Sequence, residues 1–196
     1  MKKINILILL AILAFSYNVF ARDTSLIKTK NWYPDYTKIQ FAGNIGFLSI
    51  GLGYQFFNNR LYSEILYGYV PVSISRAQKI HIITIKNTFP IINKNIKEII
   101  ISPITGFTAS FETGNNSFLK LPDKYPKGYL ITNAFHLTLF LGAKVHKNFI
   151  YPKIIKGADL YFELGTVESY VLYAFLSKEV RINQILSSAI GINLYY

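Results

Sequence analysis

Three histidines and ten carboxylates are the chain's whole stock for acid–base chemistry, and cysteine is absent. One histidine has a patterned setting. His136 and Thr138 alternate with Leu137 and Leu139, so in an extended strand the two polar side chains share a face. Glu163 falls on the matching face of a later alternating stretch. A hydroxyl is a weak nucleophile until imidazole takes its proton, and a carboxylate then steadies the imidazolium. His136, Thr138 and Glu163 are therefore the candidate set for acyl-ester hydrolysis. Threonine stands where such a set carries serine, and no asparagine follows it. An interior histidine hydrogen-bonded to Thr138 and Glu163 accounts for the same residues without catalysis.

Other chemistry is poorly supplied. His81 and His146 have no partner at metal-ligand spacing, and no acidic cluster has calcium-loop spacing. Without cysteine there is neither a thiolate site nor a disulfide framework. No metal and no cofactor are expected. The pairs Gly43/Gly46 and Gly51/Gly53 lie inside alternating stretches with no helix after them, so they do not read as a phosphate loop. They read as places where a sheet curves or a bulky neighbour packs.

Charge forms a second constellation. Glu64, Asp159 and Glu163 share the polar faces of their stretches with Lys38, and Lys79 and Lys144 are further partners within reach. Buried carboxylates are costly alone, so a network of pairs is expected. It reads either as a plug of salt bridges or as the lining of a narrow pore. A third constellation lies in 112–129, where Phe118 and Tyr125 mix with Lys120, Lys124 and Lys127. Aromatic and cationic groups together suit contact with glycan or lipopolysaccharide, and equally an interfacial girdle beside lipid headgroups.

All of these residues depend on one element type. Ile39 and Phe41 oppose Lys38, Gln40 and Ala42, in a stretch from Lys38 to Phe47 that also sets Ile45 and Phe47 outward. Ser49 to Phe57 sets Ile50, Leu52, Tyr54 and Phe56 against Ser49, Gly51, Gly53 and Gln55. Asn58-Asn59 then reads as a tight two-residue turn, since Asn tolerates positive φ. Further strands are predicted from Leu61 to Tyr69, Lys79 to Thr88, Ile99 to Phe111, Tyr129 to Val145, Asp159 to Phe175 and Ile182 to Tyr196. Pro103 predicts a bulge or a local edge. The last stretch places Ile190, Ile192, Leu194 and Tyr196 opposite Ala189, Gly191, Asn193 and Tyr195, so the chain finishes on an apolar stripe and an aromatic. A closing strand facing lipid has that form.

The count is eight antiparallel strands, with ten as the alternative division. The predicted fold class is all-β, an antiparallel transmembrane β-barrel preceded by a cleaved signal peptide. A secreted β-sandwich is the competing architecture. Residues 1–21 carry a basic start (Lys2, Lys3), an apolar run from Ile4 to Phe15 and Val19-Phe20-Ala21 at the cleavage position. Residues 22–36 read as a periplasmic lead-in and 37–196 as the barrel domain. No later apolar run approaches the ~20 residues of a spanning helix. Yet the chain is 51% hydrophobic with 15 Tyr and 15 Phe, a load suited to interfacial girdles. Its formal charge is +11; losing Lys2 and Lys3 leaves 19 basic against 10 acidic residues, or +9. On an exported chain this points to anionic headgroups and not to nucleic acid.

The stretches Phe41–Tyr54, Glu64–Pro71, Leu121–Tyr129 (with its Pro-Asp-Lys-Tyr-Pro core) and Leu160–Gly165 together resemble a family of short, functionally uncharacterised outer-membrane barrel proteins of Gram-negative bacteria. The resemblance implies fold and outer-membrane location, and brings no catalytic residues. The expectation is a monomer whose partners are outer-membrane lipid and lipopolysaccharide, with a structural, adhesive or surface-interaction role. A lipid A deacylase using His136, and a narrow pore, are the alternatives.

Overall fold

Period-two alternation lets a sheet bury one face by curling, and here it curls until its edges meet. The computed structural model describes residues 33–113, 134–150, 154–168 and 185–196. Its strands are β1 (Tyr36–Ala42), β2 (Leu48–Phe56), β3 (Leu61–Val70), β4 (Ile80–Pro90), β5 (Lys94–Ile96), β6 (Ile99–Thr113), β7 (Phe135–Asn148), β8 (Gly157–Val167) and β9 (Ser187–Tyr195). A single helical turn, α1 (Val72–Ser75), lies between β3 and β4. Eight strands build the wall, all antiparallel. Two pairings seal it: β1 with β9, from Tyr36↔Tyr195 to Ala42↔Ala189, and β4 with β6, from His81↔Thr113 to Pro90↔Ile104. The three-residue β5 pairs only with Ile99–Ile101 of β6, past the end of β4. The ring is one continuous sheet, which excludes the sandwich.

The two faces are inverted relative to a soluble protein. Ile50, Leu52, Ile65, Ile83, Ile85, Leu139, Leu141 and Leu160 point outward and are 49% to 64% exposed, whereas Lys38, Glu64, Lys86 and Asp159 point inward and are at most 2% exposed. An interior bounded by eight strands is just wide enough for side chains to fill it. Large rings fit because glycine stands opposite them. Tyr36 faces Gly53, Phe140 faces Gly106 and Tyr161 faces Gly191 in direct cross-strand register. A β-carbon on any of these glycines would overlap the facing ring. Gly191→Val is accordingly expected to cost about 3 kcal/mol in denaturant unfolding, because the Ile39 carbonyl closes the other side as well. Gly165→Ala, whose nearest neighbours stand 3.1 to 3.4 Å from the new carbon, is expected to cost less than about 1 kcal/mol.

Several strand ends differ from expectation. β1 stops at Ala42 instead of Phe47: Ala42 and Gly43 take positive φ (61° and 82°), and Gly46 follows at 129°. The resulting turn folds Ile45 into the lumen, 3% exposed, where the alternation had put it outside. Its carbonyl accepts the Ser49 hydroxyl and lies so close to Gly68 that no side chain fits there. The β2–β3 connection is four residues, not two, with positive φ at Phe57, Asn58 and Asn59. At Pro103 there is both an edge and a one-residue bulge opposite it: between Pro90↔Ile104 and Lys94↔Ile101, three residues (91–93) face two (Ser102 and Pro103). Register against β7 runs through Ser102↔Lys144, Pro103↔Ala143 and Ile104↔Gly142 without a slip, while on the other side Pro103 falls between the end of β4 and the start of β5. Its carbonyl accepts from Ile91 on that side, so its missing N–H falls where no ladder bond is needed. β8 ends at Val167 and not at Phe175; the residues from Ser169 to Phe175 lie outside the described ones. β7 and β9 begin at Phe135 and Ser187, while the expected starts at Tyr129 and Ile182 lie outside the described residues; β4 and β6 run further, to Pro90 and Thr113. The lead-in's last residues already belong to the wall: Asp35 donates its N–H to Gly53 and accepts from Tyr196, and Tyr36 is the first residue of β1.

Candidate functional site

The lumen holds the protein's densest polar chemistry, and its members come from the inward rows of six strands. Lys38 and Gln40 alternate with Ile39 on β1, Glu64 sits between Ser63 and Ile65 on β3, and Lys86 between Ile85 and Asn87 on β4. Lys144 and His146 flank Val145 on β7, Asp159 and Glu163 flank the Tyr161 position on β8, and Asn193 and Tyr195 end β9. Each is turned inward by the parity that turns its apolar neighbours outward.

Three cations meet three carboxylates one to one. Lys38 pairs with Glu64 at 2.8 Å, Lys86 with Glu163 at 2.5 Å and Lys144 with Asp159 at 3.3 Å. Neutral donors and rings add further contacts, while one oxygen each of Glu64 and Glu163 has no hydrogen-bond partner. The Tyr36 hydroxyl donates to Glu64 (2.7 Å), while Gln40 accepts from both Lys86 (2.9 Å) and the Tyr161 hydroxyl (3.0 Å). Aromatic faces take the rest of each ammonium: Tyr161 lies 4.3 Å from Lys38, Phe140 lies 4.5 Å from Lys86, and Tyr62 lies 3.8 Å from Lys144. Asp159 is the most heavily bonded of the acids. It accepts from His146 Nδ1 (2.6 Å) on one oxygen, and from Lys144, Asn193 (3.0 Å) and the Tyr195 hydroxyl (2.5 Å) on the other.

These clusters interrupt the interior. A cavity of about 20 Å³, room for roughly one water, touches Lys86, Glu163, Thr108 and Thr138. At the end of the barrel where β1 starts and β9 finishes, a wider cavity of about 280 Å³ opens over Lys144, His146 and Tyr195. Between the two stand the Lys38–Glu64 pair and the rings of Tyr36, Tyr62 and Tyr195, with Tyr36 and Tyr195 centroids 4.9 Å apart.

All four residues read from sequence as a charge network, Lys38, Glu64, Asp159 and Glu163, are in the lumen, and Lys144 joins them. Lys79 does not: it precedes β4 and is exposed. The partner it was to supply is Lys86, which the muddy alternation of the fourth strand concealed. The candidate hydrolytic set is not assembled. Glu163 is bonded to Lys86, whereas His136 faces Glu168 at 3.8 Å. Ser110, directly across the β6–β7 ladder from His136, is the nearer hydroxyl in register; its signal was cross-strand pairing, which no single strand displays. Ser110 is 1% exposed and its Oγ lies 2.9 Å from the Thr84 hydroxyl. Phe118, Lys120, Lys124, Tyr125 and Lys127 lie outside the described residues. Compared with known proteins, the chain matches no family model, no curated protein and no solved structure.

Proposed function

We propose that this chain is a monomeric outer-membrane barrel protein of a Gram-negative bacterium, with a sealed lumen and a structural or surface-contacting role rather than a catalytic one. The observation that carries the reading is the inversion of burial: leucine and isoleucine rows outside, ion pairs inside. In water such an exterior is an aggregation surface, and in hydrocarbon it is the solvated face. Strands of 9 to 11 residues (β2, β3, β4, β8) at a tilt of about 40° span roughly 25 Å, the height of an outer-membrane apolar band. Phe41, Phe47, Phe111 and Phe135 lie toward one rim and Tyr54, Phe56, Phe89 and Tyr196 toward the other, as interfacial girdles do.

Orientation follows from the connections. Those at the end bearing the strand termini cover 57–60, 91–98 and 149–156, while those at the opposite end cover 43–47, 71–79, 114–134 and 168–186. Short turns and both termini belong on the periplasmic side. On this reading the ends of β6 and β7 at Thr113 and Phe135 face outward, which supports contact of Lys120, Lys124 and Lys127 with lipopolysaccharide phosphates. The signal-peptide reading of residues 1–21 supplies export. The protein from outer-membrane fractions is expected to run faster on SDS gels unheated than boiled, since a closed barrel resists the detergent until heated. In planar bilayers it should pass no current. A band that does not shift, or discrete channel openings, would refute the corresponding half of the reading.

His136 with Glu168 at 3.8 Å and Ser110 across the ladder has the composition of a hydrolase, and this favours lipid A as a second reading. Against it, a serine 1% exposed cannot meet an acyl carbonyl. His136→Ala is expected to leave the mass of lipid A in expressing cells unchanged. Loss of an acyl chain with the wild-type protein that disappears in the variant would reinstate the enzyme.

A further inference from the structure

We propose that the 280 Å³ cavity at the terminus-bearing end of the barrel is a binding site for a small oxyanion, a phosphate or carboxylate group. Its lining contains Lys144, His146 and Lys156 and no aspartate or glutamate. Of the acids beside it, Asp159 is 0% exposed and already accepts from four side chains, and Asp35 accepts from the Gln55 N–H at 2.6 Å. The amides are aimed the same way. Asn93 uses its carbonyl oxygen to accept from Ser102 at 2.6 Å, and the Asn148 carbonyl oxygen faces His146 Nε2 at 2.9 Å. In both, the oxygen is engaged, which leaves the NH₂ group as the one to meet a ligand. The His146 ring lies between Asp159 on Nδ1 (2.6 Å) and the Asn148 oxygen on Nε2 (2.9 Å), two acceptors that favour its protonated form.

The cavity thus has Lys144, paired with Asp159, at its floor and the exposed Lys156 at its rim. Buried Tyr62 and Tyr195 form part of its lining, and the Tyr36 ring packs 4.9 Å from Tyr195. Donor-rich, acid-free and only partly open, it selects negative charge and oxygen acceptors. Its volume admits a phosphate with a few attached atoms, such as a sugar phosphate or a lipid headgroup. The inference rests on the barrel and its lumen and not on which membrane holds it.

The full chain, folded in a zwitterionic detergent, is titrated calorimetrically with inorganic phosphate, and separately placed in micelles with and without phosphatidylglycerol. Saturable phosphate binding is expected, and Lys156→Gln should weaken it at least about tenfold, the loss of one charge-assisted contact. Lys156 is exposed and bonds the wall only through its backbone, so folding is spared. Lys147→Gln is the control: that lysine lies on the outward face, beside Glu98 at 3.5 Å, and should leave affinity unchanged. If phosphatidylglycerol competes with phosphate, the natural source is a headgroup; if it does not, the source is a soluble anion. Either result upholds the site. No saturable phosphate binding, equal weakening by Lys156→Gln and Lys147→Gln, or equal binding of uncharged glycerol would overturn it.

Discussion

Lys86→Met is expected to lower the unfolding free energy of the refolded barrel by about 3–5 kcal/mol, the cost of leaving one member of a buried ion pair alone. Lys86 is 1% exposed, and its ammonium sits between Glu163, Gln40 and the Phe140 ring. Methionine replaces the stem and removes the charge, so packing is nearly kept and Glu163, 4% exposed, is left without its cation. Removing both charges tests the cause. Lys86→Met with Glu163→Leu should recover most of the loss, because an apolar pair of similar volume substitutes for a buried ion pair at little or no cost. Urea titration in micelles or vesicles reads both variants. A double variant as unstable as the single would mean that the damage is shape and not charge.

Asp159→Ala should do at least as much harm, again about 3–5 kcal/mol, and should do it at a particular seam. Four donors lose their acceptor together: Lys144 and His146 on β7, Asn193 and Tyr195 on β9. Asp159 itself is on β8, between these strands, and β9 makes the closing pairing with β1. The prediction is therefore local as well as global. Amide exchange should rise first in β9 and β1, with β3 and β4 on the far side still protected. Asp159→Asn should fall between wild type and alanine, since one carbonyl oxygen still accepts while the charge is lost. Uniform loss of protection around the ring would show that Asp159 does not hold the seam.

What the sequence could disclose was parity, and parity is most of a barrel. Ile39, Ile50, Ile65, Leu139 and Leu160 declare the outer face, and Lys38, Glu64, Asp159 and Glu163 the inner one, because a strand offers each side chain only two directions. Closure follows once a strand as apolar as Ile190 to Tyr196 must find a partner. Register is different. That Ser110 stands opposite His136, or Gly191 opposite Tyr161, depends on how two distant strands slide, and nothing within either strand states it. Ile45 was misplaced for a related reason: it continues an alternation that the positive φ of Ala42 and Gly43 has already ended. Lys86 was missed because Thr84, Lys86 and Thr88 alternate with Ile83, Ile85 and Asn87, so polar residues fall on both faces of β4. Individual charges could be assigned to the lumen from pattern alone, but their pairing could not.

The chain has no cysteine, so each engineered one reports a single position. Spin labels placed singly at 137 through 141 and at 144 of β7, in protein reconstituted into vesicles, test the central claim most directly. Leu137, Leu139 and Leu141 should carry labels reached by oxygen dissolved in the bilayer and not by a water-soluble nickel chelate, while labels at Thr138, Phe140 and Lys144 should be immobilised and shielded from oxygen. Labels at all six positions open to the chelate, or oxygen access without alternation, would contradict a wall with lipid outside and a packed charged interior.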